Sequence, residues 1–179
     1  MVTNLVDAIQ KSLGYPPLEK VDPNSQEIKG AKKMSSAQKL PQAAIPAVLA
    51  AMIKYSDGPD GINLLTLHEN RNWLGTFYAG KEKDAVRKVA NYAGVSEDEA
   101  QRNMEDIANE GARLVINSIK NADAEKLRSY MNSQRHTILS HLPAVLKMGD
   151  ILNEETFDDR TNKMEGPVSS FLHKIENRI

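Results

Sequence analysis

Apolar side chains along this chain recur at steps of three and four residues and nowhere sustain the alternation of a half-buried strand. That spacing commits the chain to helices carrying apolar stripes, and such stripes must be buried against one another. Val2, Leu5, Val6, Ile9 and Leu13 form the first stripe, which stops at Gly14 and the Tyr15-Pro16-Pro17 breaker, so a helix is expected over 2–14 with a glycine terminus. From 15 to 36 the chain is polar and rich in Pro, Lys and Ser, and it reads as a mobile linker with at most a short helical piece near 26–33. Residues 35–55 are apolar enough for a buried helix but carry Pro41 and Pro46. Each proline removes a backbone donor and crowds the preceding turn, which predicts either a start near Pro41 or a kink.

Asp57-Gly58-Pro59-Asp60-Gly61 is a turn cluster, after which 62–80 is expected to hold one short helix around Glu69 to Tyr78. A further helix over 81–93 turns Ala85, Val86, Val89, Ala90 and Ala93 inward and ends at Gly94. Ser96-Glu97-Asp98-Glu99 has the residues of a capping box, in which the serine hydroxyl accepts from the amide three residues on and Glu99 reaches back. It opens a stripe of Ala100, Met104, Ile107, Ala108, Gly111, Val115 and Ile119, and a glycine in mid-helix predicts the close approach of another helix. Residues 123–147 are expected to form one helix bent at Pro143, with Leu127, Met131, Ile138, Leu142 and Val145 facing inward. A last amphipathic helix is expected over Pro167 to Ile179.

Ile45-Pro46-Ala47-Val48-Leu49 recurs as Leu142-Pro143-Ala144-Val145-Leu146, and Ala37-Gln38-Lys39 is echoed by Ala100-Gln101-Arg102. With the alternation of helix, glycine turn and longer helix, this predicts a single-domain, all-α bundle over 1–179, of about six to eight helices arranged as repeated hairpins sharing one core. Gly80-Lys81-Glu82-Lys83-Asp84-Ala85-Val86, then Tyr92-Ala93-Gly94-Val95-Ser96-Glu97-Asp98-Glu99-Ala100 and a long apolar helix, resemble the repeat of YidB-like bacterial proteins, and the proline-bearing helix over 40–53 is similar to that family's other recurring element. The resemblance spans residues 1–120. It implies a small helical bacterial protein, and it brings no catalytic residues with it.

Composition narrows the function classes. The 179 residues include no cysteine, which removes disulfides, thiolate metal sites and cysteine nucleophiles and suits a reducing compartment. Neither the opening residues nor any later segment has the unbroken apolar run of a signal peptide or a membrane span, so a cytoplasmic setting without membrane contact is expected. Lys and Arg total 23 against 24 for Asp and Glu, so no global field draws in nucleic acid. No P-loop, dinucleotide fingerprint or G-x-S-x-G elbow occurs, and no catalytic residue, cofactor or metal is assigned.

The local candidates are few. His136 and His141, five apart, point about 140° from each other on a regular helix and do not jointly clasp an ion. His68 and His173 complete the histidines. Glu154, Glu155, Asp158 and Asp159 form two carboxylate pairs at i and i+4, a spacing that grips a hard cation on a helix but otherwise makes a solvated acidic turn, the preferred reading. Lys29, Lys32, Lys33 and Lys39 are the one basic cluster, read as a solvated linker rather than a phosphate patch. His68, Glu69, Arg71 and Trp73 gather a histidine, a carboxylate, an arginine and the only tryptophan, the place for a specific contact if the chain makes one, since Trp and Arg are enriched at binding hot spots; the preferred reading is Trp73 packed as a lid on the bundle with its polar neighbours in water. The leading expectation is a non-enzymatic helical interaction or structural module, bound to a protein partner or to a second copy through 167–179. The other is a pocket at His68 to Trp73 that takes a small ligand, with or without catalysis.

Overall fold

The computed structural model describes residues 4–66, 72–121 and 123–158. Among these, eight α-helices form a single all-α bundle: α1 (Leu5–Leu13), α2 (Ser36–Asp57), α3 (Asn63–Thr66), α4 (Trp73–Tyr78), α5 (Glu82–Ala93), α6 (Glu97–Ser118), α7 (Ala124–His141) and α8 (Met148–Leu152). Short 3-10 turns cover Ala31–Lys33, Ala144–Leu146 and Glu155–Phe157, and the one β-type pairing among the described residues is an isolated antiparallel bridge between Val21 and Ile28. The expected helix over 167–179 lies outside the described residues. Among those described, no helix is long and apolar enough to cross a membrane.

Helix α2 is the axis. Every residue from Leu40 to Ile53 is buried, and α1, α4, α5, α6, α7 and α8 all pack on it. A helix apolar all round has no face to give to water. Its alanines at 43, 44, 47, 50 and 51 keep its surface narrow, so several helices approach it at once. The start at Ser36 precedes Pro41, where the prolines alone place it, because Ser35 is a good N-cap and Gln38 Oε1 accepts from the Ser35 amide at 3.0 Å. The helix then runs through both prolines. Each costs about 3 kcal/mol in an isolated helix interior, which burial on every side offsets.

Buried amides and one phenol fasten the surrounding elements to this axis. Gln42 Oε1 accepts from the Glu19 amide at 2.8 Å, and its Nε2 donates to the carbonyls of Glu19 and His141, each at 3.0 Å. Tyr78 donates from a buried hydroxyl to the Ala47 carbonyl at 2.8 Å. Gln134 of α7 accepts from the Leu5 amide at 3.0 Å, satisfying a donor that the first turn of α1 leaves without an intrahelical partner. The segment 15–35 is irregular, with a 3-10 turn at 31–33 as its one helical piece, and it lies against the bundle. The Val21 amide donates to the Ser140 carbonyl at 2.8 Å, Ile28 is buried, and Tyr15 accepts from Asn103.

Several expectations hold in detail. Gly14 and Gly94 end α1 and α5 in the left-handed conformation, the Ser96 hydroxyl accepts from the Glu99 amide at 3.2 Å, and the expected inward residues of α5 are buried. Others are corrected. Among the described residues, the segment 62–80 holds two short helices, α3 and α4. Helix α7 ends at His141, because Pro143 cannot donate to the ladder and Lys147, at φ 46°, reverses the chain before α8. The two related pentapeptides therefore differ in conformation: Ile45 to Leu49 is buried helix, whereas Pro143 precedes a 3-10 turn that leaves Val145 at 71% exposure instead of inward.

Gly111 sits where α6 meets α1 and α2. A Cβ there would lie 2.7 Å from the Met52 terminal methyl and 3.7 Å from Ile9 and Leu49. Since that methyl ends a flexible side chain, Gly111→Ala should shift urea-unfolding stability by less than about 1 kcal/mol, the gain in helix propensity offsetting the displacement of Met52. Gly111→Leu should cost about 2–3 kcal/mol by overpacking the junction. Equal effects of the two substitutions would contradict this packing.

Candidate functional site

The turn Asp57 to Gly61 lets the chain leave α2 and bring α3 and α4 back beside its C-terminal end. The reversal needs glycine at 61, where a Cβ would fall 2.4 Å from the Ser56 carbonyl oxygen. Between these elements lies a cleft of about 480 Å3, with Lys54, Tyr55, Asp60, Trp73, Thr76 and Phe77 among its lining residues. Trp73 opens α4 under the cap of Asn72, whose side chain accepts from the Gly75 amide at 2.9 Å. Its ring stacks on Phe77 one turn on, with centroids 5.5 Å apart at 22°, and Phe77 meets Tyr55 of α2 at 5.6 Å and 54°. Both are favoured aromatic geometries. Trp73 keeps 6% of its surface exposed, so it is a wall of the cleft rather than an exposed anchor.

Of the four residues singled out from the sequence, Trp73 lies in this cleft, while His68, Glu69 and Arg71 fall outside the described residues. Tyr55 and Phe77 also line it, two residues that the sequence pattern does not single out. The four-residue spacing of Trp73 and Phe77 carries half of that signal, but the approach of Tyr55 follows from the turn after α2.

Lys54 and Thr76 of the cleft are engaged within the protein. Lys54 Nζ lies 3.0 Å from Glu154 Oε2, and the Thr76 hydroxyl donates to the Asn72 carbonyl at 2.9 Å. Glu154 also accepts from the Thr156 hydroxyl at 2.7 Å, and the Arg135 guanidinium lies 4.6 Å from the centroid of the Phe157 ring. Asp158 accepts from the Asp150 amide at 3.0 Å. The acidic stretch is thus drawn into a tertiary staple, on a 3-10 turn rather than the α-helix that an i, i+4 pairing requires, and Asp159 lies outside the described residues. Among the described residues no three histidine or carboxylate side chains gather to hold a metal. His141 is buried, with Nδ1 2.8 Å from the Thr137 carbonyl, while His136 is exposed five residues earlier.

No protein-family model, curated protein or solved structure matches the chain. The resemblance to YidB-like proteins therefore rests on the residues quoted above.

The hydroxyl of Thr156, and then Lys54, hold the Glu154 carboxyl below its ordinary value of 4.5. A carboxylate lowered on folding contributes stability above its unfolded value and loses it as pH falls through the folded one. Glu154→Gln should therefore lower the denaturation midpoint at neutral pH and flatten its decline between about pH 5 and pH 3. Glu110, held low chiefly by Arg113, keeps part of the slope. An unchanged acid slope in Glu154→Gln would show that the staple does not titrate with folding.

Proposed function

We propose that this chain is a non-enzymatic binding module that takes an apolar or aromatic side chain of a protein partner in the cleft between α2 and α4. One observation carries the reading: three aromatic residues from two helices line a cleft whose ammonium and hydroxyl groups are already paired inside the protein. Such a cleft offers aromatic walls for packing, while Lys54 and Thr76 are held by partners inside the protein. A knob entering it would displace water from apolar walls and gain contact with ordered rings, the arrangement typical of interface hot spots. A cysteine-free chain with no membrane-length helix among its described residues suits a partner met in a reducing, cytoplasmic setting.

The cleft's volume also falls in the range of small-ligand sites, roughly 300–1,000 Å3, and that favours the second reading, a small aromatic ligand at the same mouth.

Trp73 is the only tryptophan, so its emission reports on the cleft directly. Peptides selected from a random displayed library should carry an aromatic or large aliphatic anchor, shift Trp73 emission on titration, and bind Thr76→Arg, which blocks the cleft, at least about tenfold more weakly. Peptides that bind Thr76→Arg equally and leave Trp73 emission unchanged would overturn the reading. Saturable shifts with indole or phenol, and none with the peptides, would favour the small-ligand reading.

A further inference from the structure

A second concavity lies apart from the aromatic cleft. Residues from the 25–32 segment, the start of α2, the end of α5 and the Pro143 turn enclose about 420 Å3, a volume that also suits a small molecule. Ile28, Ala31, Pro143, Ala144 and Val145 give it apolar walls. Val145 is the one large hydrophobic residue described as exposed, held out at 71% by the 3-10 turn after Pro143. Leaving that much apolar surface in water costs free energy that burial under a ligand would recover, at about 25 cal/mol per Å2.

The polar groups here are not consumed internally, in contrast to those of the aromatic cleft. Lys32 and Lys39 line the groove, and neither makes an ion pair among the described residues. Two of the four lysines of the basic cluster seen in the sequence therefore line this groove. Tyr92, at the end of α5, is also in the lining, and its buried hydroxyl has no hydrogen-bond partner among the described residues. A buried hydroxyl without an acceptor costs about 1–3 kcal/mol. Burial, with the charge of Glu27 nearby, pushes this phenol up, so it stays protonated and able to donate. Glu27 is the one carboxylate in the lining, against two ammonium groups.

We infer that this groove binds a free anionic amphiphile, a monocarboxylate with a short aliphatic body, whose chain lies on Ile28, Ala31 and Val145 and whose head meets Lys32 and Lys39 and accepts from the Tyr92 hydroxyl. The composition favours this ligand over its neighbours in chemistry. A bare anion would leave the apolar walls wet, a neutral alcohol would leave both ammonium groups unmatched, and a nucleic acid would find lysines but a narrow apolar floor instead of open stacking faces. The groove is independent of the aromatic cleft, so either proposal stands without the other.

Titration of the full chain with octanoate, followed by amide chemical shifts and by calorimetry, tests this. Saturable shifts should cluster at Ile28, Ala31, Tyr92 and Val145, and octanol should bind more weakly by about tenfold, the equivalent of one charge-assisted contact. Lys32→Ala/Lys39→Ala should remove the advantage of octanoate over octanol, Tyr92→Phe should weaken octanoate severalfold, and Val145→Trp, at an exposed position that leaves folding intact, should block binding. Octanol binding as tightly as octanoate would overturn the inference. So would inorganic phosphate shifting the same amides, anionic phospholipid vesicles binding where octanoate does not, or octanoate leaving the groove unperturbed.

Discussion

The burial of α2 on every side is the constraint from which the rest of the molecule follows. Fourteen consecutive residues, Leu40 to Ile53, meet protein all round, and that requires at least as many neighbours as the helix has faces. Six of the other helices supply them, each turning its own apolar stripe toward the axis. The alanines of α2 set how closely they come, and Gly111 marks a close approach of α6 to α1 and α2. Gln42 and Tyr78 then fix register, since a buried amide or phenol that loses its partners costs more than a displaced methyl.

This dependence explains which parts of the fold are legible in the residues. Helices α1, α5 and α6 are readable because each has one apolar face, a polar N-cap or charged first turn, and in two cases a terminating glycine. Helix α2 is readable as buried but not in its start, because two prolines speak against a helix that Ser35, Gln38 and complete burial nonetheless sustain. Residues 142–158 are the least legible. Leu142 to Leu146 repeats the pattern of Ile45 to Leu49, yet the first copy is held helical by neighbours on every side, whereas the second follows the end of α7 and is turned by Pro143 and Lys147. Local sequence is the same in kind; tertiary surroundings decide.

The same division runs through the candidate sites. Trp73 stands out in the sequence because it is unique, and its stacking on Phe77 is a matter of helical spacing. Tyr55 reaches the cleft only through the turn at Gly61, a long-range consequence that periodicity does not encode. The second groove is further from view, since its walls come from segments more than a hundred residues apart, joined where Gln42 bonds to both Glu19 and His141. The two concavities also differ in polar accounting. Around the aromatic cleft, cation and hydroxyl are paired within the chain, which suits packing against a partner. In the groove, two lysines without an ion pair and a buried phenol without a hydrogen bond, among the described residues, suit a ligand that brings its own charge.

Because six of the other seven described helices pack on α2, native-state hydrogen exchange tests the account most directly. The amides of Ala43 to Ile53, Pro46 aside, should be the slowest in the chain and should exchange only through global unfolding, with opening free energies equal to that from urea denaturation. Exchange of these amides through a local opening, faster than the buried amides of α6 and α7, would show that α2 is not the element on which the bundle is built.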